Sequence, residues 1–362
     1  MSGTLSGVKP TQRRSSSQSP TSSYATLMHR VRDAGLLERT TRFYGILFGA
    51  LTIALAGAIA GMSLLAGSWF QLLIAAALGI IFTQFAFLAH EAAHRQIFSS
   101  GRLNDMVGRV IAVLLVGLSY AWWMKKHTRH HAQPNVVGKD PDIAKDTISF
   151  VEEDARSSRG LVRLITRKQG FLFFPLLTLE GLNLHKYTVL TLFGKGDVKG
   201  RSLEIALFFA RTALYLGLVF WLMPPWVALA FLGVQLAVFG VYMGASFAPN
   251  HKGMPILPHD AKVDFLRRQV LTSRNVSGGW WMSMFMGGLN HQIEHHLFPN
   301  MPRPHLHRAR AFVRQYCNDH GIPYTQTSLL RSYRIVIEYL NRVGLAARDP
   351  FDCPMVAQYR LH

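Results

Sequence analysis

The sequence is poor in charge, poorer still in acid, and almost free of cysteine. Only 16% of its 362 residues are Asp, Glu, Lys or Arg, against about 25% in an ordinary soluble domain. Two cysteines, Cys317 and Cys353, are too few for a disulfide framework, which excludes a small secreted scaffold. No internal repeat, no GxGxxG and no phosphate-binding loop occurs. The missing charge and a positive mean hydropathy of +0.15 argue against both disorder and an ordinary soluble enzyme. The length would allow two or three domains. What charge there is leans one way, with 39 Lys and Arg against 20 Asp and Glu.

The position of that charge is informative. No charged residue occurs from Phe43 to Leu88. A span needs about 20 residues at 1.5 Å each, so this block holds two, joined at Gly67-Ser68-Trp69 with Trp69 at the interface. A second block, about Leu203 to Pro249, contains a single basic residue, Arg211, close enough to an end to snorkel, and is split by Met223-Pro224-Pro225-Trp226. The reading is an all-α integral membrane protein. Four transmembrane helices, at about 43–66, 70–89, 203–223 and 226–247, form two hairpins under a cytoplasmic helical cap. Residues 1–28, rich in Ser and Thr, are expected to be a disordered tail, and 29–362 one domain. Met28 to Arg42 reads as an amphipathic lead-in helix. Val107–Trp123 and Phe171–Leu179 are apolar but short, which predicts membrane-surface or re-entrant helices.

The outer turns carry no Lys or Arg, whereas residues 1–42, 90–202 and 251–362 carry seven, seventeen and fourteen. The positive-inside rule puts both termini and the middle segment in the cytoplasm, in an inner or endoplasmic-reticulum membrane. Basic residues flanking spans are not a nucleic-acid face, so no nucleic-acid partner is expected.

Sixteen histidines then stand out. His90 and His94 close the first hairpin. His127, His130 and His131 follow the Val107–Trp123 segment. His291, His295 and His296 lie in Asn-His-Gln-Ile-Glu-His-His, and His251 follows the last span. Positions i, i+3 and i+4 share one face of a helix, so each cluster presents its imidazoles together. All four groups fall on one side of the membrane at one depth, where they can converge. A lone histidine is usually a satisfied polar group, and His29, His185, His259, His305, His307, His320 and His362 are read that way. Eight or nine clustered imidazoles exceed one site and suit two metals. Dioxygen chemistry requires a redox-active metal, and a two-iron site with open positions follows. His90-Glu91-x-x-His94 also matches the HExxH of zinc proteases, but it uses only two of the clustered histidines. Glu91 is instead expected to orient a histidine.

Taken together, the three boxes resemble the membrane fatty-acid desaturase family. His90-x3-His94, His127-x2-His130-His131 and Gln292-x2-His295-His296 come in the family's order. Trp122-Trp123, Asp140-Pro141-Asp142 and Gln-Ile-Glu-His-His-Leu-Phe-Pro at 292–299 agree in the flanks. The resemblance covers the chain from about residue 40. It implies a cytoplasmic di-iron centre that uses O2 and two electrons to place a double bond in a fatty acyl chain held in lipid or on coenzyme A. Its implied ligands are His90, His94, His127, His130, His131, His295 and His296, with His251 as an additional one. Gln292 replaces a histidine found in many relatives, as in the front-end subgroup. His291 and Gln292 are both open as iron contacts, and Asn250 and Glu91 are further candidates. Front-end enzymes often carry a fused cytochrome with a His-Pro-Gly-Gly motif, which this sequence does not contain. Electrons are therefore expected from a separate ferredoxin or cytochrome with its reductase, drawn to the basic face. Trp122, Trp123, Trp280, Trp281 and Phe285 are candidate linings for the acyl chain. A hydroxylase or acetylenase would use the same boxes, and a transporter should show ionisable residues deep in its spans.

Overall fold

A computed structural model describes residues 20–348. Four helices are long and apolar enough to cross a membrane: Thr41–Leu64, Gln71–Ala93, Arg201–Leu222 and Pro225–His251, here spans 1 to 4. Spans 2 and 4 run on past the expected ends, and these extra turns carry His90 and His251. The only strands among the described residues are Asn275–Val276 and Gln326–Thr327, paired in parallel.

Spans 2 and 4 form the core. About half of each is buried (56% and 44% of its most apolar stretch), whereas spans 1 and 3 are covered over 17% and 6%. Close approach requires Gly79 on span 2, where a Cβ would lie 2.9 Å from the Gln235 carbonyl of span 4. Phe85, Phe87, Phe231 and Phe239 are buried in the core, Phe87 meeting Tyr242 of span 4 edge-on. Lipid tails are as apolar as these rings, so close van der Waals packing rather than escape from water holds the two spans together. Spans 1 and 3 leave Ile53, Leu64, Leu214 and Trp221 exposed, as an apolar solvent allows.

The short apolar stretch expected over Val107–Trp123 is a bent pair. Gly101–Val110 continues as a π-helix over Ile111–Val116 and stops at Gly117 (φ 93°). After two residues Tyr120–Ala132 leaves at 116° to it. The π-turns and left-handed glycine explain the break: Gly117 and Leu118 both donate to the Ala112 carbonyl, which ends the ladder. The region around Phe171–Leu179 is likewise helical, as Gln169–Leu176, a 3-10 turn and Glu180–Phe193.

Two expectations need correction. The composition predicts a tail to residue 28 and a lead-in helix over Met28–Arg42. Residues 1–19 lie outside the described residues, but Pro20–Asp33 is already a helix. Tyr24, Leu27 and Val31 fall on one face, and Leu27 and Val31 are fully buried against the segment holding Leu297, Phe298 and Val313. The preceding Thr21-Ser22-Ser23, and Thr26, conceal that face in composition. Arg211 does not snorkel. It lies mid-span, with its guanidinium over the rings of Tyr215 and Phe82. The same block also holds Glu204, completely buried.

Candidate metal centre

Four elements deliver the site. Span 2 ends in His90, with His94 capping it. The helix Tyr120–Ala132 starts at Ser119, whose hydroxyl accepts the Trp122 N–H, and carries His127, His130 and His131. Span 4 ends in His251. The short helix Gln292–Leu297 carries His295 and His296. Residues from position 90 to position 296 thus meet in one place.

They meet as two groups. Nitrogens of His90, His94, His127, His131 and His295 all lie within 4.8 Å of one another, and so do those of His130, His251 and His296. In the first group the Nε2 atoms of His90 and His94 are 3.0 and 2.7 Å from His127 Nε2. In the second, His130 Nε2 is 3.3 Å from His251 Nε2. The groups adjoin, since the rings of His131 and His296 stack at 4.2 Å.

The nitrogens that face away are held differently. His130 Nδ1 is 3.0 and 3.1 Å from the carboxylate of Asp140, His251 Nδ1 donates to the Thr272 carbonyl (2.9 Å), and His296 Nδ1 is 2.8 Å from Gln269 Oε1. Each bond leaves Nε2 pointing inward, the arrangement that fixes a metal-binding tautomer. The Nε2 atoms of His295 and His296, and both ring nitrogens of His131, have no hydrogen-bond partner among the described residues. Buried lone pairs without donors fit cations rather than a hydrogen-bonded network.

Protonation agrees with this. Burial, aided by neighbouring imidazoles, holds His127, His131, His295 and His296 well below the ordinary histidine value. Burial alone pushes His94 down to about 3. These rings are neutral at pH 7 and offer lone pairs. His130 differs, because Asp140 and Asp142 outweigh burial and raise it.

The remaining candidates separate. Gln292 reaches the second group, its amide nitrogen 2.9 Å from His251 Nε2 and its oxygen accepting from Asn250 (3.2 Å). His291 is buried but belongs to neither group, with Nε2 3.3 Å from Ser283 Oγ. Glu91 orients no histidine: Arg303 grips it through two 2.6 Å bonds. A carboxylate so neutralised is not free to activate water, which removes the HExxH protease reading. Of the aromatic candidates, Trp123 stacks on His127 at 4.8 Å beside Phe247, and Trp122 stacks on Tyr187. Trp280, Trp281 and Phe285 are exposed instead.

Arg303, Gln269, Thr272 and Phe247 carry no signal of their own in the sequence, although the Asp140-Pro141-Asp142 flank does announce Asp140. Arg274 belongs with them. Fully buried, it donates to the Pro249 and Lys252 carbonyls and so holds the end of span 4 beside His251.

Comparison with known proteins agrees with the geometry. The chain is 27% identical over 351 residues to a Delta(8)-fatty-acid desaturase of Helianthus annuus, covering 90% of this chain and 74% of that one. It is 31% identical over 291 residues to an acyl-lipid (9-3)-desaturase of Physcomitrium patens, covering 75% and 53%. A Delta(6)-fatty-acid desaturase of Caenorhabditis elegans is 26% identical, covering 89% and 75%. The profile described as Fatty acid desaturase matches residues 67–328, and with its histidine boxes gathered in the family's order this chain belongs to the fatty acid desaturase family.

Proposed function

We propose that the chain is an oxygen-dependent acyl desaturase with a di-iron centre. The observation that carries this reading is the convergence of eight imidazoles from three boxes and span 4 into adjoining groups of five and three. The five-member group would hold one iron. His130, His251 and His296 would hold the other, with Gln292 completing it if its amide turned its oxygen inward. Iron bound there would supply the reductive activation of dioxygen that removes two hydrogens from an unactivated chain. Overall, R–CH2–CH2–R′, O2, two electrons and two protons give R–CH=CH–R′ and two waters.

The protein's own part is position and environment. Neutral imidazoles donate without first losing a proton. Asp140, Thr272 and Gln269 hold three rings in one tautomer. Trp123 and Phe247 supply an apolar wall against His127 and His90, where a methylene could be held against the oxidant and water kept away. The basic segments support a cytoplasmic active site served by a separate ferredoxin or cytochrome with its reductase. The relatives' names support a front-end acyl substrate, in lipid or on coenzyme A.

The test is the fatty-acid profile of a bacterial host expressing the chain with a ferredoxin–reductase pair, double bonds being located by mass spectrometry. A new unsaturated acid, absent from a His130→Ala control that also loses iron, is the expected result. An oxygenated acid in its place would make the enzyme a hydroxylase. Full activity in the control would overturn the ligand assignment.

A further inference from the structure

Beyond its first residue, Arg201, span 3 carries two charges on one face, Glu204 in its first turn and Arg211 at mid-span. Glu204 and Arg211 are seven residues apart, about 10 Å along the helix and nearly in line. Ionisable residues within a span are costly and call for a role. Neither touches the imidazole groups. Both meet the bend between Gly101–Val116 and Tyr120–Ala132.

Glu204 bonds both arms of that bend. Its Oε1 accepts from Arg109 Nε on the first arm (3.1 Å) and from the Ala121 N–H on the second (3.0 Å). Its Oε2 accepts from the hydroxyl of Ser119 (2.7 Å), the cap of the second arm. A carboxylate thus faces the N-terminal end of the box-bearing helix, where peptide dipoles favour negative charge. Arg211 occupies the vertex. Its Nε lies 2.9 Å from where a Cβ on Gly117 would be, beside His185, at the C-terminal end of the first arm, where positive charge is favoured. It makes no hydrogen bond or ion pair among the described residues, only its ring contacts with Tyr215 and Phe82.

We infer that Glu204 and Arg211 are positioning residues that set the angle of the bend and thereby aim His127, His130 and His131. Leverage explains why a buried carboxylate and a half-buried guanidinium are maintained for this. His130 lies about 16 Å along the helix from Ser119. A tilt of about 10° there would move it by about 3 Å, far beyond the tolerance of about 0.2 Å in metal–ligand distance. His127 and His131 feed one group and His130 the other, so both would suffer together. The consequence for metal rests on the proposed di-iron reading, whereas the bend itself does not.

The test reads the two separately. Nitroxide labels at the exposed positions Arg102 and Thr128, one on each arm, report the bend by pulsed electron spin resonance in bilayer nanodiscs, and metal analysis reports iron per chain. Glu204→Leu should broaden the label distance distribution at least two-fold and lower iron from two to below one. Glu204→Gln, which keeps an acceptor for Ala121, should restore a narrow distribution and more than half of the iron. Arg211→Met should broaden it less. If Glu204→Leu does not yield folded protein, the ordering of wild type, Glu204→Gln and Arg211→Met decides. Equal distributions across the variants that fold would overturn the inference. A wild type without iron, whose distribution still broadens in the variants, would sink the di-iron reading and leave the bend inference standing.

Discussion

The two imidazole groups differ in how they are held. In the three-member group each outward nitrogen is anchored, to Asp140, to the Thr272 carbonyl or to Gln269. In the five-member group His90 Nδ1 and both nitrogens of His131 bond nothing among the described residues, and the rings are kept in place by one another and by Trp123 and Phe247. The polar residue nearest in sequence, Glu91, is taken up by Arg303. Directed hydrogen bonds therefore set one half of the centre and packing sets the other. The first half should be sensitive to single polar changes, the second to changes of volume.

Removal of a shared ring should have the largest effect. The ring of His127 lies within 6.4 Å of those of His90, His94, His130, His131 and His295. His127→Ala should abolish detectable product and bring iron below one per chain. Retention of one tightly bound iron would show the halves to be more independent than their geometry implies. Next comes Arg303→Met, which leaves Glu91 buried and unpaired, a loss of about 3–5 kcal/mol. Thermal unfolding in detergent should register it, and Glu91→Gln added to it should recover much of the loss. A smaller effect is expected from Asp140→Asn, which replaces the acceptor behind His130. It should weaken one iron by about 10–100-fold and spare the other. Equal loss of both irons would break the division between anchored and packed halves. Gln292→Ala should be mildest, about 10-fold in that same iron, while the corresponding change at His291 should leave iron content untouched.

Some of this arrangement is legible residue by residue. Long apolar stretches with little or no charge mark the four long helices, because lipid tolerates no unpaired backbone and little charge. Spacings of i, i+3 and i+4 mark imidazoles that share a face. Other features are hidden by composition. The helix from Pro20 is masked by serines and threonines, and Glu204 by the apolar block around it. A count of basic residues finds Arg211 but cannot tell snorkelling from a mid-span place over aromatic rings.

The sequence by itself determined which segments enter the membrane, which residues can ligate metal and which of them sit together on a helix. All of these follow from periodicity and transfer energy, which act over a few residues. Tertiary structure alone decided that the imidazoles divide into five and three, that Gln292 rather than His291 reaches them, and that Glu91 faces Arg303 across 212 positions of sequence. It also decided the 116° bend that aims the second box. Those outcomes depend on which helix ends pack side by side, and packing joins residues whose separation along the chain carries no local signal.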